Sequence, residues 1–286
     1  WLRVPLEHAA AEGEVELVHS LVAAGACVDA PDFTVGPLHL ALHRSTNEPV
    51  VQALLDRGAC LHRRDNKGNT PLHLVANLGY DCLLSPLLLK RAHIECVDLD
   101  GRTPLLLAIH GGHARVMREL LQHGVDPIPC SEYTLTPLQI AAKYNQPDAV
   151  DVLIEAGAKV EGDEDSIIYP YVPLRMAAEG GCCAAMLALL QRKADVNAQD
   201  ISGRWPLHAA SRKVQPEAVE LLLRWGADKT NVDNGGQRAA EMIGAGLKKK
   251  KRLAKADAMQ RVLNMLILAP AERAWRRRGL MVMCRA

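Results

Sequence analysis

Apolar and polar positions alternate along this chain in a pattern that recurs about every 33 residues. In each period, a first short stretch places small and apolar residues at helical spacing, and a second stretch of similar length is more strongly apolar. Seven periods open at a Pro-Leu step, at positions 5, 37, 71, 104, 137, 173 and 206, and an eighth holds Ala239-Ala240 in the same register. One pair of short helices cannot bury its apolar faces alone, so the pattern predicts about eight stacked helix-turn-helix units.

Residues that favour helix ends and turns lie at fixed places in each period. Thr precedes Pro at Thr70, Thr103 and Thr136, where its hydroxyl can cap a helix whose first position is the proline. Glycine ends most of the second helices, as at Gly25 and Gly58, because it tolerates the left-handed backbone of a helix end. An Asp- or Asn-containing turn with Gly then follows, and we expect it to project as a finger.

Three segments resemble a known repeat: Thr70-Pro71-Leu72-His73, Ala194-Asp195-Val196-Asn197 and Trp205-Pro206-Leu207-His208-Ala209-Ala210. They are similar to the ankyrin repeat, and this register covers residues 1–268. The resemblance implies an all-α fold, an ankyrin-repeat solenoid of stacked helix-turn-helix units with projecting β-turn fingers. We expect an ankyrin-repeat domain at 1–268, whose last repeat is atypical and capping, and a basic helical segment at 269–286. Since the chain begins at Trp1 rather than Met, we expect a fragment with a truncated final segment.

Some positions depart from the repeat pattern. Pro86 lies inside a second helix, where it removes a backbone hydrogen bond, and we expect it to kink or shorten that helix. Arg91 and Lys193 stand where the second helix usually ends in Gly. The finger between the fifth and sixth units is longer and acidic from Glu161 onward, so we expect an exposed loop there.

The residue types give no indication of catalysis or of a bound cofactor. His39, His73 and His208 occupy the Pro-Leu-His position, where the resemblance implies a structural hydrogen-bonding role. Neither a G-x-S-x-G nor a G-x-x-x-x-G-K-[ST] motif is present, and no convergent Cys or carboxylate set accompanies the histidines. The 8 cysteines form no C-x-x-C pair, and we interpret them as reduced core thiols of an intracellular protein. We therefore expect no enzyme and no cofactor.

The resemblance implies a concave partner-binding face formed by the fingers and the short first helices. In ankyrin proteins its variable positions lie before the Thr-Pro step and at the end of the first helix. Tyr, Trp and Arg often carry interface energy, and here they concentrate in the fifth to seventh units. The predicted binding residues are Arg102, Tyr133, Lys143, Tyr144, Tyr169, Tyr171, Arg204, Trp205 and Arg212. The alternative is that Tyr169 and Tyr171 pack the longer finger and that Trp205 fills a gap.

Charge is divided unevenly along the chain. Residues 247–286 hold 12 basic and 2 acidic residues, against 22 and 31 in the part before them. The acidic first part favours a partner with a basic surface and argues against nucleic-acid binding. The basic run consists of Lys248, Lys249, Lys250, Lys251 and Arg252. A solvated cap of the stack, a nuclear-import signal and a contact with an anionic surface all fit this run.

Two functions fit the sequence. The first is a monomeric scaffold or adaptor that binds a protein or peptide partner in the cytoplasm, the nucleus or both. No apolar run approaches the length of a membrane span, so we expect no membrane insertion. The second is the substrate-recognition arm of a larger enzyme or ubiquitin-ligase complex. The segment Leu280-x-x-x-Cys284-Arg285 is similar to the opening of the SOCS box, which docks elongin.

Overall fold

The computed structural model describes residues 3–29, 35–44, 48–127, 135–161, 172–200, 203–245, 247–248, 251 and 254–268. The chain divides into two compact units, Trp1–Asp126 and Pro127–Ala286. Across the described ranges the regular elements are fifteen α-helices, together with an isolated antiparallel bridge between Val232 and Arg238. The predicted all-α class is confirmed.

The first unit consists of helix pairs. Its first helices are α1 (Arg3–Glu12), α3 (Pro37–Arg44), α5 (Pro71–Leu78) and α7 (Pro104–Gly111). Its second helices are α2 (Val15–Ala23), α4 (Glu48–Asp56), α6 (Asp81–Leu89) and α8 (Ala114–Gln122). First helices pack on first helices and second helices on second helices, as stacked repeats require.

The second unit repeats this arrangement and ends in a longer helix. Its first helices are α9 (Pro137–Lys143), α11 (Pro173–Gly180) and α13 (Pro206–Lys213), and its second helices are α10 (Pro147–Glu155), α12 (Cys183–Gln191) and α14 (Pro216–Arg224). The last helix, α15 (Ala256–Leu268), packs on α14. Small residues such as Ala141, Ala177 and Ala209 are almost fully buried, which lets the first helices approach closely.

The helix boundaries follow the predicted signals. Thr103 Oγ1 accepts a hydrogen bond from the N–H of Leu106, and Thr136 Oγ1 accepts one from Gln139, both at 3.3 Å. Each of these helices has proline at its first position, where no backbone donor is lost. Helix α5 ends at Gly79, whose φ of 75° is the left-handed conformation that glycine adopts without steric cost.

The histidines of the Pro-Leu-His position connect successive repeats. The Nε2 atom of His39 lies 3.1 Å from the carbonyl oxygen of Asn69. The Nε2 atom of His73 lies 3.0 Å from the carbonyl oxygen of Arg102. His208 Nε2 lies 3.0 Å from the Gln237 carbonyl. All three rings are buried, and burial lowers the pKa of each, so the neutral ring is the form that the fold holds. Their structural role is confirmed.

The departures from the repeat pattern have local solutions. Helix α6 contains Pro86 yet has nine residues, the length of α4 and α8, so the prediction of a shortened helix is wrong. Leu83, Leu84 and Leu87 of this helix are buried, and their packing holds the turns on either side of the proline. Arg91 and Lys193 adopt the left-handed backbone that Gly takes elsewhere, with φ of 64° and 69°.

The cysteines differ from the sequence interpretation. Among the six described cysteines, all free, only Cys182 is buried, whereas Cys27, Cys60 and Cys82 are exposed. The prediction that they are core thiols is therefore wrong for most of them. The first two occupy the turn after a second helix, outside the packed helical rows. Cys183 is partly exposed, as expected for the neighbour of a buried cysteine on a helix.

The end of the second unit is closed by α15. Val262 and Leu266 of this helix are buried, whereas Ile267 is 60% exposed. Lys255 Nζ donates to the carbonyl oxygens of Lys213 at 3.0 Å and Val214 at 3.4 Å, at the end of α13. Lys255, a basic residue that follows the predicted import signal, therefore caps the C-terminal end of α13. The proposed domain limit at residue 268 borders a segment, 269–286, that lies outside the described residues.

Candidate functional site

Arg175 of α11 occupies the position that histidine takes in three other repeats. Its side chain is only 6% exposed, and its Nε lies 2.9 Å from Oδ2 of Asp200 in the following finger. In the repeat of His73, the first helix is joined to the next finger by a hydrogen bond between the histidine ring and the Arg102 carbonyl. A charged pair thus replaces a neutral hydrogen bond between a first helix and the next finger.

Asp200 also holds the finger itself together. Its Oδ1 accepts the N–H of Arg204 at 2.8 Å, and its own N–H donates to the Arg204 carbonyl at 2.9 Å. Asp65, Asp98 and Asp233 make the equivalent backbone contacts in their fingers. The aspartate is therefore part of the repeat framework, and its partner Arg175 is particular to this repeat.

Glu179, one turn after Arg175 on α11, connects this pair to α13. Its Oε2 lies 3.7 Å from the Arg175 guanidinium, and its Oε1 lies 2.8 Å from that of Arg212 and 3.3 Å from Lys213 Nζ. We name the set formed by Arg175, Glu179, Asp200, Arg204, Arg212 and Lys213 the α11–α13 cluster. The cluster joins two first helices and the finger between them.

The α11–α13 cluster contains more positive than negative charge. Three cations of the cluster, Arg175, Arg212 and Lys213, contact its two carboxylates, and Asp200 also accepts a finger N–H group. The charge of the fourth cation, Arg204, acts on Asp233 of the next finger. The Nε–H groups of Arg204 and Arg212 find no acceptor among the described residues. The side chains of Arg212 and Lys213 are 25% and 42% exposed, so a ligand can reach them.

Trp205 stands in the Thr position at the start of α13 and contacts the next finger. Its indole Nε1–H donates to the carbonyl of Val232 at 3.3 Å, and the residue is half-buried. Without a Thr hydroxyl, the Nδ1 of His208 finds no partner in the described part of the chain. The indole therefore contributes to finger packing and keeps part of its surface accessible.

Lys143 and Tyr144 end the first helix of the preceding repeat. The Lys143 ammonium lies 5.6 Å from the centre of the Tyr144 ring, a cation–π distance, and Tyr144 is 43% exposed. The Lys143 carbonyl accepts the thiol of Cys182 at 3.4 Å, which fixes the end of α9 against the next repeat. This places an accessible Lys-Tyr pair one repeat before Glu179.

Arg102 belongs to the first compact unit. Its Nε pairs with Oδ2 of Asp98 at 2.8 Å, and another guanidinium nitrogen pairs with Asp100 at 2.7 Å. The finger around Arg102 is therefore locally acidic. The remaining predicted positions, Tyr133, Tyr169 and Tyr171, lie outside the described residues, as do Lys249, Lys250 and Arg252 of the basic run, whereas Lys248 and Lys251 are exposed.

The predicted binding residues include only two of the six residues of the α11–α13 cluster, Arg204 and Arg212. The other four are missing because framework positions and binding positions look alike until helices and fingers are paired in space. One signal was available in the sequence. An arginine at the Pro-Leu-His position needs a counter-charge when it is buried, and the next finger carries an aspartate, Asp200, that could supply it.

Neither a group of metal-ligating side chains nor a membrane-spanning helix is found among the described residues. No three His, Cys, Asp or Glu side chains of the described ranges converge on a metal site. His113 Nε2 is already bonded to the carbonyl of Asn77 at 3.0 Å. Within the same ranges, none of the helices combines the length and apolar character needed to cross a bilayer.

Family models described as ankyrin repeats match most of the chain. A three-copy model matches residues 6–85 and 73–163, and a many-copy model matches residues 174–223. The chain is 29% identical over 229 residues to the Ankyrin repeat protein nuc-2 of Neurospora crassa, covering 78% of this chain and 21% of that protein. It is 31% identical over 208 residues to the mouse B-cell lymphoma 3 protein homolog, covering 70% of this chain and 46% of that protein.

Mouse Rabankyrin-5 is 29% identical over 177 residues, covering 60% of this chain and 15% of that protein. The chain thus spans less than half the length of these curated relatives. The fold is similar to that of the human ASB11 ankyrin repeat domain, with a TM-score of 0.60 at 21% identity over 91% of this chain and 96% of that one. The chain belongs to the ankyrin-repeat family.

Proposed function

We propose that this chain is a protein–protein interaction module, a scaffold or adaptor that holds a partner on its fingers and first helices. The observation that carries the proposal is the α11–α13 cluster, in which charged side chains remain accessible on rigid helix ends. Ankyrin repeats are in general protein-binding modules, which supports this choice. Tyr144, Arg204, Trp205 and Arg212 are the proposed contact residues, together with Lys143.

The proposal assigns no catalytic step and no cofactor to this chain. Buried titratable side chains such as His39, His73 and Asp98 are bonded to the backbone of neighbouring fingers or of their own finger. Such groups hold conformation and are not presented to a substrate. An ankyrin stack is typically a binding surface, so any chemistry would belong to the partner or to another domain.

The alternative is the recognition arm of a larger enzyme or ubiquitin-ligase complex. One support is that the chain spans less than half the length of its curated relatives. The other is the SOCS-like set Leu280, Cys284 and Arg285, which lies outside the described residues. Co-purification of a longer chain with elongin would favour it. If elongin is absent from such a purification, the adaptor proposal stands alone.

The proposal also includes the cellular location and the oligomeric state of the protein. We place the protein inside the cell as a monomer, with Lys248, Lys249, Lys250, Lys251 and Arg252 as a candidate import signal. The net negative charge before residue 247 favours a partner with a basic surface overall. Binding of nucleic acid is not part of the proposal, because that charge repels phosphate.

Affinity capture tests the binding proposal. The tagged chain is compared with a Tyr144→Ala/Arg212→Ala variant and with an Arg115→Ala/Arg224→Ala control, whose exposed arginines lie on second helices. We expect the first variant to lose a partner that the wild type and the control retain. Equal capture by all three chains would contradict this location of the site.

A further inference from the structure

The α11–α13 cluster has the charge and geometry of a site for an acidic peptide segment. We propose that its ligand is an extended, Glu- or Asp-rich stretch of the partner, which docks across the ends of α11 and α13. This inference rests on the proposed function and specifies the chemistry that its site recognises. It differs from the expectation drawn from the net charge of the chain.

The first argument is the local charge. Glu179 is shared by three cations, and Asp200 is fully buried between Arg175 and the N–H of Arg204. Counted together with Asp233, on which the charge of Arg204 acts, three carboxylates balance three of the four cations, so a surplus of one positive charge remains. Bringing a carboxylate of a partner to this surplus is favourable, whereas bringing an ammonium group is not.

The second argument is the supply of hydrogen-bond donors. Arg204 Nε and Arg212 Nε are screened from solvent, and neither finds an acceptor within the described ranges. Unused guanidinium donors in a partly buried setting are costly, and a carboxylate accepts two such bonds side by side. Arg204 and Arg212 are both partly exposed as whole residues, so the accessible part of each guanidinium can take one acidic side chain.

The third argument is the apolar surface beside the cations. Trp205 is half-buried, and Val232, whose carbonyl it contacts, is 46% exposed. A ligand that places an apolar residue near this pair and acidic residues near Arg204 and Arg212 would use both surfaces. We therefore expect the acidic stretch to contain at least one large apolar residue.

The screening length in solution decides whether a docked ligand responds to the charge of the α11–α13 cluster or to the net charge of the chain. At physiological salt the screening length is about 8 Å, so charges beyond the cluster contribute little once a ligand is docked. The acidic remainder of the chain affects the approach of a partner, and the cluster determines which side chains fit. The acidic preference therefore holds at the site despite the negative net charge of residues 1–246.

Fluorescence anisotropy with labelled 12-residue peptides tests the proposal. One peptide carries six Glu and two Leu residues, a second replaces Glu by Lys, and a third replaces Glu by Gln. We expect the Glu peptide to bind at least about tenfold more tightly than the other two, and we expect its affinity to fall as NaCl rises from 50 to 300 mM. Binding that favours the Lys peptide, or no saturable binding of the Glu peptide, would overturn the inference.

Single substitutions in the full chain give effects of opposite sign. Arg212→Gln and Lys213→Gln each remove one positive charge, and we expect each to weaken binding of the Glu peptide about fivefold. Glu179→Gln removes a competing carboxylate and is expected to strengthen it by a similar factor. Arg224→Gln on α14, whose guanidinium pairs with Glu220, is the matched control and should leave affinity unchanged. Unfolding midpoints measured for each variant ensure that only folded chains are compared.

The outcomes separate this inference from the proposed function. If the Glu peptide fails but affinity capture still depends on Tyr144 and Arg212, the site binds a partner of other chemistry and only the acidic preference is wrong. If neither peptide binding nor capture depends on the cluster residues, both proposals fail. Equal effects of Arg212→Gln and the Arg224→Gln control would also contradict the acidic site.

Discussion

Arg175 Nε and Asp200 Oδ2 lie 2.9 Å apart in the interior of the second unit, with both side chains almost fully buried. The pair joins a first helix to the finger of the next repeat, at a place where His39, His73 and His208 use a neutral ring. A buried ion pair is costly to break because the remaining charge stays desolvated. The pair therefore matters for stability and also contributes to the charge of the α11–α13 cluster, the proposed binding site.

The effect of truncating Arg175 is the first prediction. Arg175→Ala leaves Asp200 buried without its cation, and we expect the free energy of unfolding to fall by about 3 kcal/mol. Arg175→His restores the commonest residue of this position and can donate to the Arg204 carbonyl, as His73 does to Arg102. We expect this variant to lose less than about 1 kcal/mol. Urea denaturation followed by circular dichroism measures both changes, and equal losses in the two variants would show that the position needs an ion pair.

A second prediction concerns the left-handed backbone of Lys193. An L-residue with a side chain pays about 1 kcal/mol for this conformation, whereas Gly does not. We expect Lys193→Gly to raise the free energy of unfolding by up to about 1 kcal/mol, since the residue is exposed and its φ is 69°. Lys193→Ala is the control, because it removes the charge and keeps the strain. A gain in the alanine variant as large as in the glycine variant would contradict the backbone explanation.

The buried histidines predict how stability changes with pH. Burial lowers the pKa of His39, His73 and His208 in the folded chain, so the unfolded chain binds more protons once the pH approaches the ordinary histidine pKa of about 6.5. Stability is therefore complete above that pH and is lost progressively as the pH falls from 7.5 to 5.5. Urea denaturation at these two values measures the loss.

A histidine variant isolates this contribution. His73→Gln removes one of the three groups, and we expect its stability to be lower at pH 7.5 but to change less on going to pH 5.5. If the wild type and the variant lose the same free energy between the two pH values, another group is responsible for the dependence.

The Lys255 ammonium gives a prediction for the end of the second unit. It donates to two carbonyl groups at the end of α13, where a positive charge also interacts favourably with the helix dipole. Lys255→Met keeps most of the side-chain stem and removes the donor, and we expect a loss of about 1 kcal/mol. Exchange of the backbone amides of α13 and α15 with deuterium should become faster than in a Lys251→Met control. Unchanged exchange would assign the closure of the unit to Val262 and Leu266 alone.

The fold could be predicted from the sequence because its signals are local and repeated. Thr103 and Pro104 start a helix through their own hydroxyl and ring, and this signal does not depend on distant residues. The same register identified the role of His73 before any contact was known.

The site was less predictable because its charges act across repeats. Arg204 and Arg212 are proposed as binding positions from their places in the repeat, but the environment of Arg212 depends on Glu179 in another helix. The charge count of the sequence is negative before residue 247, whereas packing brings Arg212 and Lys213 together on the single carboxylate of Glu179. The sign of a local surface therefore required the pairing of helices and fingers in space.

The central claim is that the first-helix and finger side of the second unit binds a partner. Hydrogen–deuterium exchange on the full chain, with and without the partner purified by affinity capture, tests it most directly. We predict added protection in residues 203–215 and at 143–144, with no change in the second helices α10, α12 and α14. Protection confined to those second helices, or to residues 3–126, would contradict the account.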